Sequence, residues 1–337
     1  MSKNLCVFVL LTMVLMTGQI FAKSGFSEDL DIGSMIQPLS EKGVFKVPGY
    51  SCWGAQITKG EDGKYYLIYS RWKGSIKNWL TSAEVAIAVS DQVDGPYKHV
   101  KVLLQGRGSG HWDELMVCNP KLKKFNGKYY LYYIASRQAP SRGAIRNSQR
   151  IGVAVSKSIL GPYKRMDKPL VEPQVPIYNL AVNPAVEQMP DGRYLMIIKG
   201  DKQPYRSQRI QALAMGDSPV GPFKILPNLA IEDIDTEDAS LWYDTKRKKF
   251  FAVFHAHKYI GLIESLDGIH WKRAKHYLIT KNQLKRTDGT WLKTRAPLQR
   301  PSVYIENGEP RALCIAVPAP GDWHCVIVPL KKKESDQ

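Results

Sequence analysis

Asn126-Gly127-Lys128-Tyr129-Tyr130-Leu131-Tyr132-Tyr133 is the stretch on which the fold turns. An Asn-Gly pair opening into a run of aromatic and branched residues reads as a tight hairpin turn followed by a β-strand. The same phrase stands earlier as Asp62-Gly63-Lys64-Tyr65-Tyr66-Leu67-Ile68-Tyr69 and later as Asp191-Gly192-Arg193-Tyr194-Leu195-Met196-Ile197-Ile198. A short β-run precedes each turn, at Gly54-Ala55-Gln56-Ile57, Asn119-Pro120-Lys121-Leu122 and Asn183-Pro184-Ala185-Val186; two further copies open at Asp238-Ala239-Ser240-Leu241 and Arg300-Pro301-Ser302-Val303. A third alternating strand follows at 84–90, 150–156 and 209–215, ending in Gly95-Pro96-Tyr97-Lys98, Gly161-Pro162-Tyr163-Lys164 and Gly221-Pro222-Phe223-Lys224. In the fourth copy Asp267-Gly268-Ile269-His270-Trp271 replaces that turn.

Five antiparallel units recurring at about sixty residues exceed most solenoid periods and suit blades around an axis. The expected fold is all-β, a five-bladed β-propeller over residues 49–330. A β-sandwich need not repeat its turn chemistry. No long amphipathic helix is visible after the first two dozen residues. The fifth copy lacks a fourth strand, so the segment at 23–48, through Gly43-Val44-Phe45-Lys46-Val47, is expected to close the ring and cover an exposed edge.

Residues 1–22 read as an export signal: Lys3, an apolar run from Leu5 to Met16, and cleavage after Ala22. The run is too short to span a bilayer comfortably, so the expectation is a secreted or periplasmic protein without stable membrane insertion. Residues 331–337 form a basic and polar tail. The net charge of +17 favours anionic partners, acidic glycans among them, although part of it is solvated surface lysine. Nucleic acid is a poor fit, because the basic residues are dispersed over the blades and export removes the partner. Cys52, Cys118, Cys314 and Cys325 are too spread for a disulfide framework; Cys314 and Cys325 flank a hairpin turn, where pairing and buried free thiols are both open. No CxxC or CxxH spacing calls for a metal, no cofactor is required, and nothing specifies a structural divalent cation.

Antiparallel order within a blade brings the start of strand one, the end of strand two and the start of strand three to one face. The residues so gathered include Trp53, Arg71, Trp72 and Glu84 from blade one, and Asn119 and Arg137 from blade two. Asn183 comes from blade three, Glu237, Asp238, His255 and His257 from blade four, and Arg300 from blade five. Tryptophans there stack on sugar rings or fill the core. Arginine forks either bind acidic groups or pair with Glu84, Asp201 and Asp238. His255 and His257 point to one side of a strand, as pocket groups or proton donors, with no third metal ligand in sight. Glycoside hydrolysis needs two carboxyl groups across the scissile bond, and Glu237 and Asp238, adjacent in a strand, are expected to point oppositely.

The repeats, with their Gly-Lys-Tyr-Tyr-Leu strand and Ser-x-x-x-x-Gly-Pro-Tyr turn, resemble the five-bladed glycosidases of glycoside hydrolase family 43 and its relatives in families 32 and 117. That resemblance covers about 49–330 and implies a carbohydrate substrate. In the family a first-blade Asp is the base, a middle-blade Asp tunes pKa, and a later-blade Glu is the acid. Glu237-Asp238-Ala239 matches the last position and makes Glu237 the general acid. The chain departs at the others, with Trp53-Gly54-Ala55, Asn119-Pro120 and Asn183-Pro184, and an amide cannot serve as a base. Asp113, in His111-Trp112-Asp113-Glu114, is the substitute base, with Glu84 and Asp238 behind it; Asp113 as a turn cap is the plainer alternative. The function expected is a secreted glycosidase acting on a polysaccharide or oligosaccharide, acidic or sulfated in one version. A uronate-specific lyase and a non-catalytic glycan-binding propeller are the alternatives. The sugar, its linkage and the oligomeric state are not written in the sequence.

Overall fold

A computed structural model describes residues 29–204, 208–319 and 322–331. The expected export signal at residues 1–22 lies outside the described residues, as does nearly all of the C-terminal tail. The chain forms five four-stranded antiparallel sheets, confirming the propeller. A short strand β1 (Val44–Phe45) precedes blade one, which holds β2 (Tyr50–Lys59), β3 (Tyr65–Lys73), β4 (Glu84–Ser90) and β5 (Lys98–Leu104). Blade two holds β6 (Met116–Phe125), β7 (Lys128–Ser136), β8 (Arg150–Ser156) and β9 (Lys164–Arg165). Blade three is β10 (Tyr178–Gln188) to β13 (Lys224–Ile231), with β11 (Tyr194–Asp201) and β12 (Arg209–Gly216) between them. Blade four runs through β14 (Thr236–Asp244), β15 (Lys249–Ala256), β16 (Tyr259–Ser265) and β17 (Lys272–Thr280), and blade five through β18 (Gln299–Glu306), β19 (Glu309–Ala319) and β20 (Asp322–Pro329).

The hairpin phrases behave as their chemistry requires. Asn126 and Gly127 both take positive φ, 48° and 74°, the geometry that lets a two-residue loop follow the strand twist. Each strand after such a turn is buried on both faces, and its alternation divides the side chains between two neighbours. On β3, Leu67 and Tyr69 pack towards blade five while Tyr66 and Ile68 pack towards blade two. The core is therefore a set of wedges between blades rather than one central mass.

Ring closure follows the expectation. β1 pairs antiparallel with β20, Val44 opposite Val326 and Phe45 opposite Cys325, so blade five takes its outermost strand from the N-terminal side of the chain. Phe45 lies edge-on to Tyr69 of blade one at 4.7 Å, which couples the closing strand to the next blade. Gly43 is required there, because a Cβ would stand 2.5 Å from the Ile327 carbonyl oxygen. All four described cysteines are buried; Cys314 and Cys325 face Ile327 and Ala316 across the β19–β20 ladder rather than each other.

Candidate functional site

The innermost strand of every blade is broken at the same place. The ladder shifts between Trp53 and Gln56, Cys118 and Lys121, Val182 and Ala185, Glu237 and Ser240, and Gln299 and Ser302. Within each break one residue takes positive φ: Gly54, Asn119, Asn183, Asp238 and Arg300, all between 55° and 66°. These bulges turn one residue per blade towards the axis, with a side chain in four of the five. They meet in a directed chain: Asn119 Nδ2 donates to Asn183 Oδ1 at 2.9 Å, Asn183 Nδ2 donates to Asp238 Oδ1 at 2.7 Å, and Arg300 stands 3.1 Å from the same oxygen. Blade one contributes no side chain, and the Arg300 stem fills the gap; a Cβ on Gly54 would lie 3.1 Å from Arg300 Cδ.

Above this ring opens a funnel of about 280 Å³. One wall is tryptophan: Trp53 and Trp323 have ring centroids 4.7 Å apart, Trp72 lies 6.3 Å from Trp323, and Trp79 completes the side. Trp72 Nε1 is buried without a hydrogen-bond partner among the described residues. The other wall carries Lys199, Glu237 and Asp238, and the rim adds Arg146 and Gln149. Two insertions supply groups that the repeat reading missed. The β3–β4 connection forms a short helix α1 (Trp79–Ser82) that presents Trp79, and the β7–β8 connection forms α2 (Arg142–Asn147) that presents Arg146. Their signal was length: both connections far exceed a hairpin turn.

Glu237 and Asp238 open onto the same funnel, which corrects the expectation that neighbours in a strand diverge. The bulge at Asp238 adds a half-turn to the alternation and swings both carboxylates inward. Burial would raise the Glu237 carboxyl, but Lys199, at 2.9 Å, and Arg209 outweigh it and hold the group down to about 2. Glu237 is thus an anion near neutral pH in the free protein, at odds with the general-acid role drawn from the family. Behind it His255 is 2 % exposed, and neither ring nitrogen has a hydrogen-bond partner among the described residues. Burial, chiefly, pushes its pKa below the usual imidazole range.

Trp53, Trp72, Asn119, Asn183, Glu237, Asp238 and Arg300 line the funnel. Asp113 does not, and its role as base is corrected: it is fully buried between Arg107 at 2.5 Å and Arg165 at 2.8 Å, with Tyr133 donating at 3.2 Å. Arg71 and Glu84 likewise fall outside; they pair at 2.7 Å across β3 and β4, and Arg71 covers the Tyr50 ring. Both are at the right end of their strands, but strand alternation sends Trp72 into the funnel and its neighbour Arg71 to the other face of β3, where it meets Glu84 and Tyr50. Arg137 is exposed on the β7–β8 connection. His257 sits on the surface against Asp235 at 2.6 Å, so the two histidines part, one buried and one paired outside.

The positive groups of the funnel each have a carboxylate. Arg146 makes two bonds to Asp201 at 2.7 and 2.8 Å, Lys199 pairs with Glu237, and Arg300 with Asp238. Burial would raise Asp201, yet the bonds from Arg146 and Asn179 leave it below the ordinary carboxylate range. This is the self-neutralised arrangement, with Asp201 and Asp238 as two of its acids. No group of three or more metal-ligating side chains occurs among the described residues.

Solved glycoside hydrolases share this fold. A family 117 glycoside hydrolase from the marine bacterium Zobellia galactanivorans is 18% identical, with 88% of each chain covered and a TM-score of 0.62. An endo-arabinase from Bacteroides thetaiotaomicron is 13% identical over 92% of this chain and 99% of its own, TM-score 0.58. A family 43 β-xylosidase/α-arabinofuranosidase from a compost metagenome is 17% identical over 90% and 96%, TM-score 0.57. The expected likeness to families 43 and 117 is thereby found at the level of the fold. No protein-family model and no curated protein matches the chain. No helix among the described residues is long and apolar enough to cross a membrane.

Proposed function

We propose that the protein is a secreted glycoside hydrolase that takes the end of a neutral glycan into the axial funnel. The observation that carries this reading is the facing of a tryptophan wall by two carboxylates inside one enclosure. A sugar ring offers apolar C–H faces to the indoles and hydroxyls to the amides and carboxylates, which is the division of labour this funnel provides. Neutrality follows from the pairing of Arg146, Lys199 and Arg300, which leaves no spare cation for a uronate or sulfate among the described residues of the funnel. Export rests on the reading of residues 1–22.

Glu237 acts in this scheme as the ionised partner, stabilising positive charge at the anomeric carbon or activating water. A lyase is less well supported, since neither tyrosine nor histidine is among the described residues that line the funnel. A glycan-binding propeller without turnover is the second reading, and the ring position of blade one favours it: Gly54 and the Arg300 stem occupy the place where the family carries its base.

One experiment separates the readings. The purified protein is incubated with neutral and acidic oligosaccharides, released reducing ends are counted, and binding is followed by calorimetry. Hydrolysis predicts release that falls at least about 100-fold in Glu237→Gln with binding retained. Binding without release selects the second reading. A preference for acidic oligosaccharides would overturn the neutral substrate.

A further inference from the structure

Two residues below the axial ring, past each bulge, the next inward position of every blade forms a second tier: Gln56, Lys121, Ala185, Ser240 and Ser302. Four of these are accounted for. The Gln56 amide bonds the backbone of Leu122 in both directions, at 2.9 and 3.1 Å, and stitches blade one to blade two. Ala185 brings no polar group. The fourth and fifth, Ser240 and Ser302, bond each other at 3.2 Å, which uses one hydroxyl hydrogen and leaves the other free to donate.

Lys121 stands apart. It is 9 % exposed, and its ammonium has no hydrogen bond or ion pair among the described residues. It borders a cavity of about 420 Å³ that opens on the face opposite the funnel, together with Ser240. The other lysines of that mouth are matched: Lys59 with Glu306 at 2.8 Å, Lys123 with Glu187 at 2.7 Å, Lys124 with Glu61 at 2.5 Å. An ammonium this deep with no carboxylate bonded to it is costly to keep charged, and an anion shared with the free hydroxyl hydrogen of the serine pair would offset that cost.

We propose that a small monovalent anion, with chloride as the probe, binds on the propeller axis between Lys121 and the Ser240–Ser302 hydroxyl pair. The site is independent of what occupies the funnel. Arg300 on β18 and Lys123 on β6 add positive potential from above and below, Asp238 on β14 opposes it, and Cys314 on β19 is a neutral thiol. Burial, followed by Arg300, pushes the free Lys121 ammonium down to about 7, so the anion binds most tightly below neutrality, where the lysine is charged.

The test is thermal unfolding of the full chain at constant ionic strength, with sodium gluconate exchanged for sodium chloride or bromide between pH 6 and 8. The expected result is a halide-specific rise in Tm of roughly 2 °C at pH 6 that shrinks towards pH 8. Lys121→Met removes the charge while keeping the bulk and abolishes the rise. Anomalous scattering from bromide at the axis in crystals of the wild type, absent in the variant, gives a readout free of stability. An equal halide response in Lys121→Met, or no bromide on the axis, overturns the proposal.

Discussion

At the residue scale, the clearest lesson comes from Asp113. Its His-Trp-Asp-Glu setting just before blade two made it look like a displaced catalytic base, yet it serves as a clamp. Its carboxylate joins Arg107, on its own loop, to Arg165 at the outer edge of blade two, while the indole of Trp112 stacks on Tyr133 at 5.9 Å. Removing the charge leaves Arg165 without its anion and Arg107 with the exposed Asp167 at 3.6 Å. Asp113→Asn is expected to cost about 2–4 kcal/mol, below the full figure for a buried pair because both arginines keep some water. Urea unfolding measures the loss, and funnel binding in the folded fraction stays as in the wild type. Glu237 teaches the opposite: the sequence placed it well, but its protonation state came from Lys199 and Arg209, which arrive from another blade.

At the element scale, the closing strand shows how little chain secures a ring. β1 has two residues, and its contribution lies in covering the edge of β20 and in delivering Phe45 to the seam between blades five and one. Phe45→Ala is expected to lower stability by about 3 kcal/mol, the usual cost of an emptied aromatic site. The shift appears in the denaturant midpoint, with far-ultraviolet circular dichroism still reporting a β-protein. The short helices of the β3–β4 and β7–β8 connections illustrate a different point. They owe their positions to ties with the sheets, such as Ser136 Oγ donating to the Leu80 carbonyl at 2.9 Å, and not to any helical periodicity in their sequences.

At the scale of the whole molecule, acid response gathers several sites into one behaviour. Glu237 is held near 2 against an ordinary value of 4.5, and Asp235 and Asp201 are also lowered, each by cationic partners that outweigh burial. A carboxyl with a depressed folded-state pKa stabilises the fold fully above its unfolded value. That stabilisation is lost as pH falls through the folded one. Stability should therefore decline between about pH 4.5 and 2. Urea midpoints followed across that range check the slope, which flattens in Glu237→Gln.

The same scale separates what was legible in the chain from what was not. The repeated Asp-Gly and Asn-Gly turns and the recurrence at about sixty residues specify five blades, because turn chemistry and strand alternation are local properties. The bulge residues Asn119, Asn183, Asp238 and Arg300 were legible as equivalent positions, and so was the closing role of 43–47. Hidden was the partner of each charge. Arg146 meets Asp201 across 55 positions of sequence, and Arg209 meets Glu237 across 28. No local pattern records such meetings; they exist only once the blades stand around an axis.

Sequence alone thus determined the architecture and the side chains offered to the axis, since both follow from short-range geometry repeated five times. The tertiary structure decided which of those side chains share an enclosure, that Asp113 is excluded from it, and that the funnel of a chain with net charge +17 holds paired charges. The physical reason is that Coulombic pairing and burial depend on distances between blades, which the order of residues along one strand does not contain.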